Sequence, residues 1–117
     1  EPREAPDVVE RECEALVEGI EGAEVRIGLV RPPFSVDPGA DVVQSVARAA
    51  ESVTGRPAEL YGETYWMDAA LIQAAGIPTV VFGPAGEGAH SVDEWVDLAS
   101  VEACADGLVA AARELCA

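Results

Sequence analysis

The chain has 117 residues, half of them apolar, and this composition fits one folded domain and excludes a disordered chain. It carries 22 acidic and seven basic residues, all of them arginine, for a formal net charge of -15. A surface with this much negative charge repels nucleic-acid phosphates and anionic lipids. We therefore expect neither nucleic acid nor a membrane as a partner. It also lacks an apolar run of about 18 residues, the length that a membrane span needs.

The first part of the chain predicts a helix, a strand and then a boundary. Residues 7–20 place apolar side chains at helical spacing, which predicts an amphipathic helix. Residues 24–31 alternate between apolar and other side chains, as a half-buried strand does. Segment 31–39 then contains three prolines, which exclude a helix or a central strand there. This segment is the predicted boundary between two structural units.

The rest of the chain alternates between helical and strand patterns. The predicted elements are a helix over 40–54, a strand over 57–61, a helix over 69–75, a strand over 78–82, a loop over 83–99 and a helix over 101–116. The run Thr79–Phe82 is apolar without alternation, as in a strand that is buried on both faces. This order predicts an α/β fold with a parallel sheet and helices on its faces.

Two helix starts and one helix face can be assigned from the pattern. Asp68 is the expected N-cap of helix 69–75, and Ser100 that of helix 101–116. The residues of the last helix that are expected to face the core are Val101, Ala105, Leu108, Val109, Ala112 and Leu115.

The three cysteines, Cys13, Cys104 and Cys116, match no zinc or redox spacing. The simplest interpretation is that they are small buried apolar residues in a reducing compartment. We therefore expect a cytoplasmic location.

His90 is the single histidine, and it follows a Gly-Pro loop that itself follows an apolar strand. Ligands bind outside the carboxyl ends of strands in open α/β sheets, so His90 is a candidate metal ligand or base. Glu94 could orient its imidazole, and nearby glycines such as Gly83 let backbone approach a ligand. One histidine cannot build a zinc site, however, because catalytic sites use about three protein ligands. From the pattern alone a structural role for His90 stays open, as does a purely helix-capping role for Asp68.

Residues 62–98 resemble the C-terminal part of the dinuclear zinc amidohydrolases that include acetylornithine deacetylase, succinyl-diaminopimelate desuccinylase, aminoacylase and carboxypeptidase G. The matching pieces are Met67-Asp68-Ala69-Ala70, Gly76-Ile77-Pro78, Phe82-Gly83-Pro84 and His90-Ser91-Val92-Asp93-Glu94. Each piece is a weak signal, but their combination over about 35 residues is specific. Met67 departs from the family pattern, which has Thr or Ser there, and Ala85 replaces a common Gly; both leave the substrate open.

The resemblance implies a fold and a division of the chain. Residues 1–33 would end an inserted ferredoxin-like lid domain with its last helix–strand unit. Residues 34–117 would form the C-terminal part of a doubly wound, mostly parallel sheet in the catalytic domain. Relatives of this kind dimerise through the lid, which implies a homodimer for the complete protein.

The resemblance also assigns site residues. His90 would be one of five ligands to two zinc ions, which cobalt or manganese could replace, while Gly83, Pro84 and Arg3 would contact the substrate. Asp68 and Glu94 would act behind the metal ligands or as structural residues. The other ligands and the catalytic base belong to motifs that this chain does not contain, so no catalytic residue is assigned and the isolated chain is expected to bind no zinc tightly.

The implied function is cleavage of amide bonds in N-acyl amino acids or small peptides by a larger zinc-dependent enzyme of which this chain is the C-terminal part. Two alternatives stay open at this point. The first is a non-catalytic α/β module that keeps the fold without a metal centre. The second is an unrelated α/β domain that binds a metabolite at the carboxyl ends of its strands.

Overall fold

The computed structural model describes residues 5–117, which form four helices and one short hairpin. The elements are α1 (Pro6–Val17), α2 (Asp41–Thr54), α3 (Ala69–Ala74), β1 (Gly86–Glu87), β2 (Trp95–Val96) and α4 (Leu98–Leu115). All four predicted helices are therefore confirmed, with ends that differ by up to three residues from those expected. The hairpin lies inside the segment that was predicted to be a loop.

The three predicted strands, 24–31, 57–61 and 78–82, carry no strand pairing in the described part of the chain. There the sheet consists of β1 and β2 alone, which pair antiparallel. A strand is stabilised by hydrogen bonds to neighbouring strands. Within residues 5–117, these three segments form no such hydrogen bonds to another strand. The doubly wound sheet and the ferredoxin-like lid therefore stay predictions, because four helices and a hairpin cannot test them.

Two of the expected helix caps differ in the structure. Asp97, not Ser100, caps α4, and its Oδ1 accepts the Ala99 N–H at 2.9 Å. Ser100 lies in the first turn of the helix instead. Asp68 does occupy the N-cap position of α3, but its side chain makes no capping hydrogen bond. The end of α2 follows expectation, because Gly55 terminates it in the left-handed conformation that glycine adopts without strain.

The core lies between α2 and α4. Val43 and Ser45 of α2 are each 1% exposed, and Ala49 is also buried; α4 contributes Gly107 and Ala111. These side chains are small, so the two helices approach closely. An ion pair between Arg48 and Glu114 spans the edge of this contact. The buried Ser45 hydroxyl finds no hydrogen-bond partner within residues 5–117.

The large apolar residues of α4 do not face this core, and here the prediction was wrong. Leu108 is 49% exposed and Val109 50%, while Val101 and Leu115 are similarly open. The buried residues of the helix are instead Gly107 and Ala111, and a Cβ placed on Gly107 would lie 3.7 Å from the Phe82 ring. The larger apolar side chains of the helix are left in water, as are Val81 of the predicted strand 78–82 and Ile77 just before that strand.

Segment 31–38, the proline-rich strap, is held by side chains from three other parts of the chain. Trp66 Nε1–H donates to the Pro32 carbonyl at 3.0 Å, and the Arg31 guanidinium lies 5.0 Å from the Trp66 ring centre. Gln73 Nε2 donates to the Ser35 carbonyl at 2.6 Å, and Gln44 Nε2 to the Pro38 carbonyl at 2.8 Å. Proline-rich backbone has carbonyls without ladder partners, so these amides and the indole satisfy them.

The described chain is elongated. Its radius of gyration is 18.8 Å and its principal extents are 59 × 36 × 20 Å, whereas a compact domain of about 100 residues has a radius of gyration of about 13 Å. Helix α1 has no buried residue. Across residues 5–117, no helix is both long and apolar enough to cross a bilayer.

Candidate functional site

The candidate site is the hairpin between the Gly-Pro loop and α4. Gly86 pairs with Val96 and Glu87 with Trp95, which leaves residues 88–94 as the connecting loop. His90 lies in this loop and is exposed. The structure therefore places the sequence-predicted histidine at the tip of a short, paired element.

The base of the hairpin is joined to the first turn of α4. The Asp97 N–H donates to the Ala85 carbonyl at 2.9 Å, and the Ala85 N–H donates to Ser100 Oγ at 2.9 Å. Ser100 Oγ in turn donates to the Asp97 carbonyl at 2.7 Å. Gly83 and Pro84, the predicted substrate contacts, directly precede this junction and are exposed. A hairpin fixed in this way moves with α4 as one element.

Two glycines make the hairpin geometry feasible. A Cβ on Gly86 would collide with the Trp95 carbonyl oxygen across the hairpin. Gly88 has φ of +76°, and a Cβ there would lie 2.7 Å from Ser91 Oγ. Their sequence positions suggested close approach to a ligand, but in the structure they allow close approach of the two strands and the turn.

His90 itself has φ of 66°, and among residues 5–117 it alone combines a side chain beyond glycine with a positive φ. This region is sterically unfavourable for a residue with a Cβ. The Ser91 N–H donates to the Gly88 carbonyl at 2.8 Å and closes a turn around His90. The His90 N–H donates to Glu94 Oε2 at 3.3 Å. Backbone strain of this kind is concentrated at functional positions in proteins.

The remaining predicted residues are not drawn into one cluster. Asp68 is exposed at the start of α3, and no hydrogen bond or ion pair joins it to His90 in the described part of the chain. Arg3 lies outside the described residues. Sequence reasoning missed Asp97 as the cap of α4, and it named Ser100 as the cap instead of as the residue that bridges the hairpin to the helix.

Comparison with known proteins identifies the family. The family model described as "Peptidase family M20/M25/M40" matches residues 4–114. The chain belongs to this family of hydrolases, as its resemblance to the zinc amidohydrolases predicted.

Two curated relatives are similar over part of their length. One is the N-formyl-4-amino-5-aminomethyl-2-methylpyrimidine deformylase of Halalkalibacterium halodurans, 33% identical over 75 residues, which are 63% of this chain and 18% of that protein. The other is the uncharacterized protein YqjE of Bacillus subtilis, 34% identical over 92 residues, which are 79% of this chain and 24% of that protein. The chain thus spans about a quarter or less of these relatives. No solved structure matches it significantly.

The described residues provide only part of what a metal site needs. A neutral imidazole is a good zinc ligand, and His90 is exposed on a braced turn. Within residues 5–117, however, no three His, Cys, Asp or Glu side chains converge as a metal site requires. Among these residues, His90 therefore lacks the further side chains that would complete a metal site.

Proposed function

We propose that this chain is the C-terminal part of a metal-dependent amidohydrolase and that His90 supplies one of its metal ligands. The observation that carries the proposal is the left-handed conformation of His90 at the tip of a hairpin that is bonded to α4. The family match and the partial coverage of both relatives support it.

The proposed reaction is hydrolysis of an amide bond. Zinc, or cobalt or manganese in its place, would lower the pKa of a water and polarise the scissile carbonyl. This chain would contribute the His90 imidazole, with Gly83 and Pro84 beside the substrate and Arg3 available to meet a substrate carboxylate. The substrates we propose are N-acyl amino acids or small peptides. The deformylase relative suggests an N-formyl amine as a further acyl compound to test.

The proposed fold of the complete protein is the doubly wound sheet with an inserted lid. In it, segments 57–61 and 78–82 would find strand partners, and residues 1–33 would complete the lid and its dimer contact. Apolar side chains that are exposed here, such as Val81 and Leu108, favour this proposal because contiguous exposed apolar surface marks contact sites. We further propose a cytoplasmic, homodimeric enzyme.

The test compares His90→Ala with Ser91→Ala, a neighbouring substitution, in the complete protein. We expect His90→Ala to lose bound metal and to reduce hydrolysis of N-formyl and N-acetyl amino acids by at least about 100-fold. Mutation of a residue that only hydrogen-bonds to a metal ligand already lowers metal affinity or activity by up to that factor. Elemental analysis and turnover assays measure both, and circular dichroism checks the fold. Unchanged metal content in His90→Ala would contradict the proposal, whereas a wild-type protein that binds no metal would favour the non-catalytic module.

A further inference from the structure

We propose that Glu94 is a positioning residue that acts on the backbone of His90 and holds it in the left-handed conformation. The inference rests on the proposed role of His90 as a metal ligand. It differs from the role that the sequence suggested for Glu94, which was to orient the imidazole ring. The direction of the Cα–Cβ bond of His90 depends on its φ, so a residue that fixes φ also fixes where the imidazole can reach.

The contact that carries the proposal joins a side chain to a main-chain group. Glu94 Oε2 accepts the N–H of His90, four positions earlier in the chain, at 3.3 Å. A carboxylate that accepts a backbone N–H forms a charge-assisted hydrogen bond, which is stronger than a neutral one. Among residues 5–117, Glu94 takes part in no ion pair, so its carboxylate has no charged partner competing with this N–H.

The surroundings of the link make it effective. The pairing of Glu87 with Trp95 fixes both ends of the loop, and Glu94 directly precedes that pair. On the other side of His90, the hydrogen bond from the Ser91 N–H to the Gly88 carbonyl restricts the backbone of the turn. Glu94 thus bridges from the end of the paired strand to the one strained residue of the loop. Without it, nothing else in the described part of the chain accepts the His90 N–H.

A backbone role and a ring role predict different behaviour of Glu94→Gln. A glutamine keeps a side-chain oxygen that can accept the His90 N–H, so it should preserve the conformation. A carboxylate that bonded the ring would instead act by its charge, raising the basicity of the imidazole, and glutamine would not replace it. Glu94→Ala removes both functions and is the disruptive variant.

The first experiment measures the conformation of His90 in the metal-free 117-residue chain. A left-handed residue has a short distance between its own amide and Hα protons, which gives a strong intraresidue nuclear Overhauser effect. We expect this signal in the wild type, in Glu94→Gln and in Asp93→Ala, the neighbouring carboxylate that serves as the matched control. It should weaken strongly in Glu94→Ala. A strong signal in Glu94→Ala, or its loss in Glu94→Gln, would overturn the proposal.

The second experiment links the conformation to ligand binding in the complete protein, with cobalt(II) as the probe. We expect Glu94→Ala to weaken cobalt affinity by about 10–100-fold, the range for residues that orient metal ligands, and Glu94→Gln to restore most of it. Cobalt binding that survives His90→Ala would refute the proposed function itself. Binding that is lost in His90→Ala but unchanged in Glu94→Ala would refute only the role of Glu94.

Discussion

At the residue scale, the hairpin depends on Gly86, where the two strands approach too closely for any side chain. Gly86→Ala places a Cβ against the Trp95 carbonyl oxygen, and the clash is with backbone that cannot rotate away. We expect a loss of about 1–3 kcal/mol in the free energy of unfolding of the hairpin region, as for other overpacked sites. The loss should appear as faster amide hydrogen exchange at residues 86–96.

Gly62→Ala is the control for this change, because nothing lies within 4 Å of a Cβ placed there and its φ is not in the strained range. It should leave hydrogen exchange in the hairpin unchanged. Equal exchange in Gly86→Ala and the wild type would contradict this prediction, because it would show that the hairpin accommodates the methyl group without being destabilised.

His90 and Glu94 show how far sequence reasoning reached at this scale. The histidine could be singled out, because it is unique and follows a strand and a Gly-Pro loop. The atom that Glu94 contacts could not, because spacing places two residues near each other without saying whether the ring N–H or the backbone N–H of His90 donates to the carboxylate. The left-handed φ of His90 was also unpredictable, since glycine or asparagine is the usual residue there.

At the element scale, the Arg48–Glu114 pair ties α2 to α4 in a pH-dependent way. The hydrogen bond from the guanidinium, followed by its charge, lowers the pKa of Glu114, and the same carboxylate raises the pKa of Arg48. A carboxyl whose folded pKa is lowered contributes stability above its unfolded pKa and loses it as pH falls through the folded value. Arg48 stays charged throughout, so Glu114 sets the dependence.

The comparison of Glu114→Gln with the wild type tests this dependence. We expect the wild type to be more stable at pH 7 and the difference to shrink below about pH 5, as Glu114 takes up its proton. The effect is small because both side chains are about half exposed and salt screens the pair. Urea unfolding at several pH values and two salt concentrations measures it. A difference that is constant with pH would assign it to packing.

The proline-rich strap gives a second prediction at this scale. Trp66→Leu removes both the indole donor to Pro32 and the ring below Arg31, whereas Trp66→Phe keeps a ring face. Because α1 is otherwise little buried, we expect its position relative to α4 to become more variable in Trp66→Leu. The increase should be smaller in Trp66→Phe, which keeps an aromatic ring for Arg31. Spin labels on Cys13 of α1 and Cys104 of α4, in a Cys116→Ser background, report the distance distribution.

Tyr61→Leu is the matched control for this prediction, as a 79% exposed aromatic residue in the same irregular stretch of chain. Its distance distribution should equal that of the wild type. A distribution that Trp66→Leu leaves equally narrow would mean that the strap holds α1 without the indole.

The elements also show which patterns carried information. Helical periodicity, bounded by proline and glycine, located α1, α2, α3 and α4. The hairpin was missed because two-residue strands are too short to show an alternating pattern. The inner face of α4 was assigned to residues such as Val101, Leu108 and Leu115, but its buried residues are Gly107 and Ala111. The strands predicted at 57–61 and 78–82 need neighbouring strands to pair with, and the composition of a segment does not show which strands lie beside it.

At the scale of the whole molecule, the elongated shape limits how much surface folding removes from water. The tight core is confined to the α2–α4 contact and the adjoining Ala69 and Ala70, while many large apolar side chains stay exposed. This exposed apolar surface supports the proposal that the described part of the chain packs against a further layer in the complete protein. Domains are ordinarily built from two or three packed layers around one core.

The exposure of these apolar side chains affects the heat capacity of unfolding. The heat-capacity increase on unfolding arises from newly hydrated apolar surface, and compact domains show about 12–15 cal/mol/K per residue. A chain that keeps Leu108, Val109 and Val81 hydrated while folded has less surface left to hydrate. We expect a value below that range for the 117-residue chain, and so a flat dependence of stability on temperature. A value within the range would mean that these side chains are already covered in solution, by a second copy of the chain or by a more closed form of the same one.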